Sequence, residues 1–283
     1  MDGFLYINKE TGWTSRDVCN KVQSLFHIKK VGHIGTLDPF ATGLLIITLG
    51  KGTKAGRFLE DSSKEYVATL ELGKKTSTGD LTGEIIETKD VTTFSKEKLD
   101  KILSSFIGEY DQLPPMTSAI KVNGVKLYDL AHQGKEIERK TRRVKIHELE
   151  CLSFTNSSIK FRCVVSKGTY VRTLGEDIAE KLGCVGYLSS LNRTKIAHAE
   201  LKDAKKINEI SENDLIAISK GLSHMEKVVL DDKRVEQAKS GMMLKFDSIK
   251  NTDIILLVDK NDCVIAVYER KQNDGFICLR GLW

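Results

Sequence analysis

Alternation of apolar and polar positions predicts strands along much of the chain. The strictest alternation falls near the middle, at Ile159, Phe161, Cys163 and Val165. Successive side chains of a strand point to opposite faces, so this stretch predicts a strand with one buried face. Residues 4–7, 44–49 and 66–72 have the apolar, β-branched and aromatic composition of strands as well.

Helical spacing is found in three other places. The apolar sets are Val18, Val22, Leu25 and Phe26; Leu99, Ile102, Leu103 and Phe106; and Leu174, Ile178 and Leu182. Thr14 or Ser15 is expected to cap the first helix and Ser95 the second, because short polar side chains accept from free N–H groups there. Gly108 and Gly183 are expected to end the second and third helices.

The C-terminal part has the pattern of a small β-domain. Two apolar runs, at residues 254–258 and 264–268, flank the turn residues Lys260-Asn261-Asp262, which predicts a hairpin. Residues 276–279 suggest a further strand. We therefore expect two domains, at residues 1–225 and 228–283. From residue 228 onward, nine basic and nine acidic residues balance, so charge does not distinguish a binding module from a stabilising domain.

Composition is that of a folded protein in a reducing compartment. The 283 residues are 40% hydrophobic and 29% charged. No apolar window has the length of a membrane span, and the N-terminus lacks the pattern of a signal peptide. The six cysteines form no Cys-x-x-Cys pair, which disfavours a zinc site or a disulfide framework. We expect a cytoplasmic protein without a metal.

Positive charge is concentrated in one segment. Residues 120–145 hold eight basic and three acidic residues, an excess equal to the chain's net charge of +5. Weak periodicity in the same region predicts an insertion, at about residues 115–145, that projects from the core. The charge fits either a polyanionic partner or a solvated face, and both interpretations stay open on charge alone.

One carboxylate stands in an unusual setting. Asp38 precedes Pro39, which disfavours helical backbone at Asp38, and it lies between Gly35 and Gly43. A carboxylate on a rigid loop beside a buried strand is suited to act as a positioned nucleophile. On the residues alone, however, an ordinary Asp-Pro turn before a strand is the favoured interpretation.

The stretch His-Ile-Gly-Thr-Leu-Asp-Pro-Phe-Ala-Thr-Gly-Leu-Leu, residues 33–45, resembles the catalytic motif of the TruB-type tRNA pseudouridine synthases. These enzymes isomerise one uridine in the T-loop of tRNA. Residues 166–173, Ser-Lys-Gly-Thr-Tyr-Val-Arg-Thr, are similar to a second motif of the family, and the resemblance runs from about Phe4 to Arg193. Residues 9–12 depart from it, with Lys-Glu-Thr-Gly where the family has Lys-Pro-x-Gly.

The resemblance implies a fold and a set of catalytic residues. The fold is α+β, with a mixed, largely antiparallel central sheet and a small C-terminal β-rich PUA-like domain. Asp38 would be the nucleophile, attacking either ribose C1′ or uracil C6, and Arg172 would pair with it. Tyr66 would stack on the target uracil, which is flipped out of the RNA.

The resemblance also implies contacts with RNA. His33 would help to extrude the nucleotide, and Tyr170 and Leu191 would line the substrate pocket. The insertion at about residues 115–145 would grip the RNA, and Arg142 and Arg143 in its basic segment would bind the RNA backbone. The partner would be the T-arm of tRNA, bound by a monomer without a metal or a small-molecule cofactor.

Two alternatives remain at this stage. A non-catalytic RNA-binding or tRNA-folding protein could use the same scaffold, although Asp38, Tyr66 and Arg172 are all present. A glycosidase or base-excising glycosylase could also use Asp38. A typical glycosidase needs a second carboxylate as its acid, and the motif contains none.

Overall fold

The computed structural model describes residues 1–118, 137–271 and 275–283, together with the backbone of residues 121–122 and 125–126. These residues form two compact units. The first unit consists of Met1–Leu37, Leu44–Asp61 and His198–Trp283, and the second of Asp38–Gly43 and Ser62–Ala197. The functional division into residues 1–225 and 228–283 stays a prediction.

The elements of the described residues are as follows. The strands are β1 (Gly3–Lys9), β2 (Val31–Ile34), β3 (Thr42–Leu49), β4 (Lys64–Leu72), β5 (Lys74–Thr76), β6 (Ile85–Thr88), β7 (Gly108–Gln112), β8 (Lys121–Val122), β9 (Val125–Lys126), β10 (Arg142–Phe154), β11 (Ser158–Val165), β12 (Gly186–Ile196), β13 (Ala199–Glu200), β14 (Glu226–Val229), β15 (Leu244–Lys245), β16 (Ile254–Val258), β17 (Val264–Arg270) and β18 (Gly275–Gly281). The α-helices are α1 (Ser15–Phe26), α2 (Gly52–Ala55), α3 (Arg57–Glu60), α4 (Lys96–Ser104), α5 (Val171–Leu182), α6 (Ile218–Gly221) and α7 (Asp232–Lys239).

The second unit is built on a sheet in the strand order β12-β4-β11-β10-β7, in which all neighbours are antiparallel. Thr42 and Gly43, the first residues of β3, add a parallel pairing with Asn192 and Arg193 of β12. The sheet is therefore mixed and largely antiparallel, which confirms the predicted fold class.

One face of this sheet carries the core of the second unit. The alternation predicted for β11 is confirmed, since Ile159, Phe161, Cys163 and Val165 are all buried. Helix α5 packs closely on the same layer, because a Cβ added to Gly175 would lie only 2.9 Å from a methyl carbon of Leu188. The buried first turn of α5 contains Arg172, so the packing of the helix fixes that side chain.

In the first unit, β1 pairs with residues far along the chain. The backbones of Phe4 and Ile216 exchange two hydrogen bonds, of 2.9 and 2.8 Å. Asn8 donates to the carbonyl of Lys205 at 2.8 Å. The first strand is thus completed by residues about two hundred positions later in the sequence.

The C-terminal sheet, also in the first unit, has the order β14-β16-β17-β18-β15. The predicted hairpin is formed by β16 and β17, and Asp262 in its turn has a φ of +61°. The buried Tyr268 donates to the carbonyls of Ala238 and Met242, which ties the end of α7 to β17. This part is the β-rich C-terminal region that the resemblance implied.

Most of the predicted helices have the expected ends. Thr14 caps α1 in a capping box with Asp17, and Gly183 ends α5 in left-handed conformation. Leu25, one of the apolar positions in the helical spacing of α1, is 44% exposed. The predicted end of the second helix was wrong. Helix α4 ends at Ser104, whereas Gly108, with a φ of +109°, begins β7.

The insertion predicted at about residues 115–145 falls largely outside the described residues. Within the described ranges, no helix is both long and apolar enough to pass through a membrane.

Candidate active site

Asp38 and Arg172 form an ion pair in the second unit, although 134 residues separate them in the sequence. The Nε of Arg172 lies 2.9 Å from Oδ2 of Asp38, and Nη2 lies 3.2 Å from Oδ1. Two parallel N–H···O contacts of this kind fix a carboxylate in both direction and rotation. The Arg172 side chain is 3% exposed and that of Asp38 is 32% exposed, so the carboxylate is the accessible member of the pair.

The other donors of the guanidinium are also occupied. Nη1 donates to the carbonyl of Thr78 at 2.7 Å and to the hydroxyl of Thr117. Nη2 donates to the carbonyl of Thr117 at 3.0 Å. Together with the two contacts to Asp38, these bonds use all five N–H groups that an arginine possesses. A buried arginine satisfied in this way is held rigidly.

A second carboxylate, Asp80, lies on the other side of the guanidinium. Its Oδ2 is 3.6 Å from Nη1 of Arg172, and its side chain is 6% exposed. Its Oδ1 accepts from the hydroxyl of Thr78 and from both the N–H and the hydroxyl of Thr82. The loop therefore holds Asp80 firmly and, with it, the Thr78 carbonyl that Arg172 uses.

The start of α5 is fixed by a glutamine on a neighbouring strand. The side-chain amide of Gln112, at the end of β7, accepts from the N–H of Tyr170 at 2.7 Å and donates to the carbonyl of Tyr170 at 3.0 Å. Gln112 is 1% exposed. Because Tyr170 is the N-cap residue of α5, this pairing sets the position of the turn that carries Arg172.

Gly43 sets the path of the chain after Asp38. Its φ is +101°, and an added Cβ would lie 2.3 Å from the carbonyl oxygen of Arg193 and 2.6 Å from Oδ1 of Asn192. No side chain fits in that space. This glycine therefore lets the chain lie close against the backbone of β12.

Tyr66 and Leu191 share the buried face of the sheet. Leu191 lies opposite Ala68, two residues after Tyr66, and Tyr66 lies opposite Arg193. Tyr66 is 7% exposed, Leu191 is 6% exposed and Arg193 is fully buried. The guanidinium carbon of Arg193 is 6.0 Å from the centre of the Tyr66 ring, at the outer limit of a cation–π contact.

The remaining predicted residues lie on two other strands, β10 and β2. Arg142 and Arg143 are exposed residues at the start of β10. Arg143 pairs with Glu109 at 3.3 Å and with Asp111 at 2.8 Å, so part of its charge is already balanced. His33 belongs to the first unit, where it lies on β2 opposite Ile47.

Carboxylates of α5 line an open cleft of about 710 Å³ that also includes Thr78 and Thr117. Burial raises the pKa of Glu176, and the positive charges of Lys75 and Arg172 act against that shift. Burial also raises the pKa of Asp177, to about 6. Neither Asp38 nor Tyr66 is among the described residues that line this cleft.

Among the described residues, no group of three or more His, Cys, Asp or Glu side chains is arranged to hold a metal ion. At Asp38 the structure presents one carboxylate that is oriented by Arg172 and partly exposed. Such a group can act as a nucleophile or stabilise a developing positive charge.

Comparison with known families bears on the motif at residues 33–45 that contains Asp38. Residues 23–171, more than half of the chain, match the model of the TruB family pseudouridylate synthase N-terminal domain. The chain belongs to the TruB family. The predictions of family and enzyme class are thereby confirmed, and the chain is an isomerase of the pseudouridine synthase type.

Relatives of this TruB family member match over nearly their whole length. A protein of Bacillus cereus named tRNA pseudouridine synthase B is 40% identical over 95% of this chain and 92% of its own. A protein of the same name from Alkaliphilus oremlandii is 44% identical over 99% of this chain and 94% of its own. Among solved structures, one chain in a Cbf5–Nop10–Gar1 complex has a TM-score of 0.76 at 22% identity, covering 99% of this chain and 85% of that one. This last likeness concerns the fold.

Sequence reasoning missed three residues of the arrangement. Asp80 lies in a polar stretch between two strands, Gln112 lies in a strand that was not predicted, and Thr117 follows two prolines. Their roles depend on contacts with residues 55 to 92 positions away, which no local pattern reveals. The one available signal was the Thr-x-Asp-x-Thr spacing at residues 78–82, which is typical of a carboxylate capped by its own loop.

Proposed function

We propose that the protein isomerises a specific uridine in the T-loop of tRNA to pseudouridine, with Asp38 as the catalytic nucleophile. The observation that carries this proposal is the two-point pairing of a partly exposed Asp38 with the buried Arg172, at 2.9 and 3.2 Å. The guanidinium favours the ionised carboxylate and fixes the direction in which its oxygens point.

The reaction requires no oxidant, reductant or external energy source. The bond from ribose C1′ to N1 of uracil breaks, the base turns, and C1′ joins to C5. The proton on C5 is released and N1 gains one, so substrate and product are isomers. A single nucleophilic carboxylate can split this exchange into two steps, by attack on C1′ or on C6 of the uracil.

Tyr66, Tyr170 and Leu191 are proposed to receive the flipped base. The ring of Tyr66 would replace the stacking that the base loses when it leaves the RNA. Its hydroxyl would also carry the proton released from C5. His33 would occupy the space that the extruded nucleotide leaves in the T-loop.

The tRNA partner is supported by the names of the relatives and by the basic segment. Lys140 and Arg142 are exposed and suited to phosphate contacts, whereas Arg143 is already paired with two carboxylates. We further propose that the protein acts as a cytoplasmic monomer without a cofactor and that residues 228–283 form a PUA-like domain.

A glycosylase, which would release free uracil, is less well supported. Asp80 is the carboxylate nearest to Arg172 besides Asp38, but its Oδ1 already accepts three hydrogen bonds and its Oδ2 faces the guanidinium. A carboxyl group surrounded by donors is an acceptor and is poorly suited to act as the general acid that a typical glycosidase needs.

The decisive experiment is incubation of the purified protein with an unmodified tRNA transcript, followed by chemical mapping of pseudouridine. We expect one modified position in the T-loop and no free uracil. Product at another position would contradict the T-loop assignment, and free uracil would favour the glycosylase. A transcript that is bound but stays unmodified would favour the non-catalytic alternative.

A further inference from the structure

Thr117 contacts the catalytic arginine twice. Its hydroxyl accepts from Nη1 of Arg172, and its carbonyl accepts from Nη2 at 3.0 Å. Thr117 lies at the beginning of the predicted RNA-gripping insertion, 55 residues before Arg172 in the sequence. A residue of the proposed tRNA-binding segment therefore holds the group that orients Asp38.

The contacts of the guanidinium divide into two sets. One edge, formed by Nε and one N–H of Nη2, faces Asp38. Of the three other N–H groups, two are held by Thr117 and one by the carbonyl of Thr78. The guanidinium is planar, so hydrogen bonds on opposite edges prevent its plane from rotating. On the edge opposite Asp38, Thr117 accepts two of the three hydrogen bonds.

The chain around Thr117 is itself constrained. Pro114 and Pro115 limit the backbone just before it, and Ser118 donates to the carbonyl of Met116 at 2.9 Å. On the far side of the insertion, Arg139 donates to the carbonyl of Pro114 at 2.9 Å. This bond joins the two ends of the insertion close to Thr117.

We propose that Thr117 is a positioning residue that holds Arg172 in the orientation required by Asp38 and links the base of the RNA-gripping insertion to the catalytic ion pair. This inference rests on the proposed function of Asp38. Thr117 acts through Arg172 and has no chemical role of its own. Its loss slows the chemical step and leaves tRNA affinity unchanged.

The test compares four variants with the parent in single-turnover reactions at saturating enzyme, with tRNA binding measured separately. Thr117→Val keeps the shape and removes the hydroxyl, Thr117→Ala removes it without adding a methyl group, and Thr117→Ser restores it. Thr93→Val makes the same change at an exposed position outside the insertion. We expect Val and Ala to slow the reaction roughly tenfold, at unchanged tRNA Kd, because a hydrogen bond to a charged group is lost.

Two further comparisons separate a positioning role of Thr117 from a general effect on stability: restoration of the hydroxyl in Thr117→Ser, and the double variant with Arg172→Lys. Thr117→Ser and Thr93→Val should react at the parent rate. In an Arg172→Lys background no guanidinium remains to be held, so adding Thr117→Val should cost little more. Any of three results would overturn the inference. The Thr117→Val and Thr117→Ala variants could both react at the parent rate, Thr117→Ser could be as slow as they are, or the effects of Thr117→Val and Arg172→Lys could be fully additive. Failure of the parent to form pseudouridine would instead overturn the proposed function.

Discussion

Two loops of the second unit bring an aspartate to the same guanidinium, and the two aspartates differ in nearly every other respect. Asp38 makes a two-point contact with Arg172 and keeps 32% of its side chain exposed. Asp80 lies 3.6 Å from Nη1, is 6% exposed, and is enclosed by hydrogen bonds from Thr78 and Thr82. One arginine thus orients an accessible carboxylate while a buried one helps to hold the arginine.

The difference separates two uses of the same residue type. A carboxylate that is to react with a substrate must present an oxygen to it, which the exposure of Asp38 allows. A carboxylate that is to stabilise a buried cation is best fixed by its own loop, because a mobile partner would let the cation turn. Four substitutions break this comparison in different ways.

The largest effect is expected for Asp38→Asn. The substitution keeps the shape and removes the negative charge, so the nucleophile is lost, and the single-turnover rate should fall by roughly 10³-fold or more. Binding of tRNA should survive, because phosphate contacts carry most of the affinity. Asp90→Asn, at an exposed position, serves as the control and should behave like the parent. Appreciable turnover in the Asp38→Asn variant would remove Asp38 from the nucleophile role.

Gly43→Ala perturbs the backbone of the loop that carries Asp38 and leaves every charge unchanged. Its Cβ would overlap a backbone carbonyl at 2.3 Å, at a φ of +101°, so unfolding free energy should drop by more than about 3 kcal/mol. Gly12→Ala is the matched control, since Gly12 has a φ of +83° and no atom within 4 Å of the added Cβ. Denaturant unfolding measures both variants. Equal losses would mean that backbone strain, and not the close approach to β12, makes Gly43 necessary.

Asp80→Asn should have an intermediate effect. The amide can keep part of the loop's hydrogen bonds but removes the charge beside Arg172, so turnover should fall roughly 10–100-fold. Because Asp80 acts through Arg172, the same change made in the Asp38→Asn background should cost almost nothing further. Single-turnover rates of the two single variants and the double variant check this. An Asp80→Asn enzyme as fast as the parent would reduce Asp80 to a residue that only closes its loop.

The smallest effect is expected for Gly79→Ala in the Asp80 loop. Its φ of +71° lies in the left-handed region, and the added Cβ would meet only the end of the Glu176 side chain, at 3.3 Å. The loss of unfolding free energy should be about 1–2 kcal/mol, the cost of left-handed backbone for an L-residue. Thermal unfolding of the Gly79→Ala and Gly43→Ala variants, measured side by side, tests whether the loss is smaller in Gly79→Ala. A loss as large as that of Gly43→Ala would show that the two loops are equally intolerant.

The sequence was sufficient for those parts of the molecule whose signals are local. Alternation located β11, the cap residue Thr14 located the start of α1, and a dense motif pointed to Asp38. The pairing of Asp38 with Arg172 followed from the family resemblance, because nothing within residues 33–45 indicates which of many arginines lies opposite. The catalytic roles of both residues stay predictions.

Features that depend on tertiary contact could not be predicted in this way. Asp80 and Gln112 are ordinary polar residues until the sheet brings Arg172 and Tyr170 beside them. Arg143 was counted as free positive charge, yet the pairing of β10 with β7 places it against Asp111. Leu25 fits the apolar spacing of α1 and is still 44% exposed, because spacing cannot tell whether another element covers the last turn of a helix.

The pairing of β1 also bears on the order in which the chain is made and folded. Phe4 leaves the ribosome early, but its backbone partner Ile216 is synthesised more than two hundred residues later. At synthesis rates of about 5–20 residues per second, that interval is roughly 10–40 s. During this time the N–H and C=O groups that Phe4 shares with Ile216 have no protein partner at that position, and loop closure over such a distance is slow. The strand made first is therefore among the last to be completed: its neighbour β3 is made early, but a nascent chain shorter than 216 residues lacks the partner on the other side of β1.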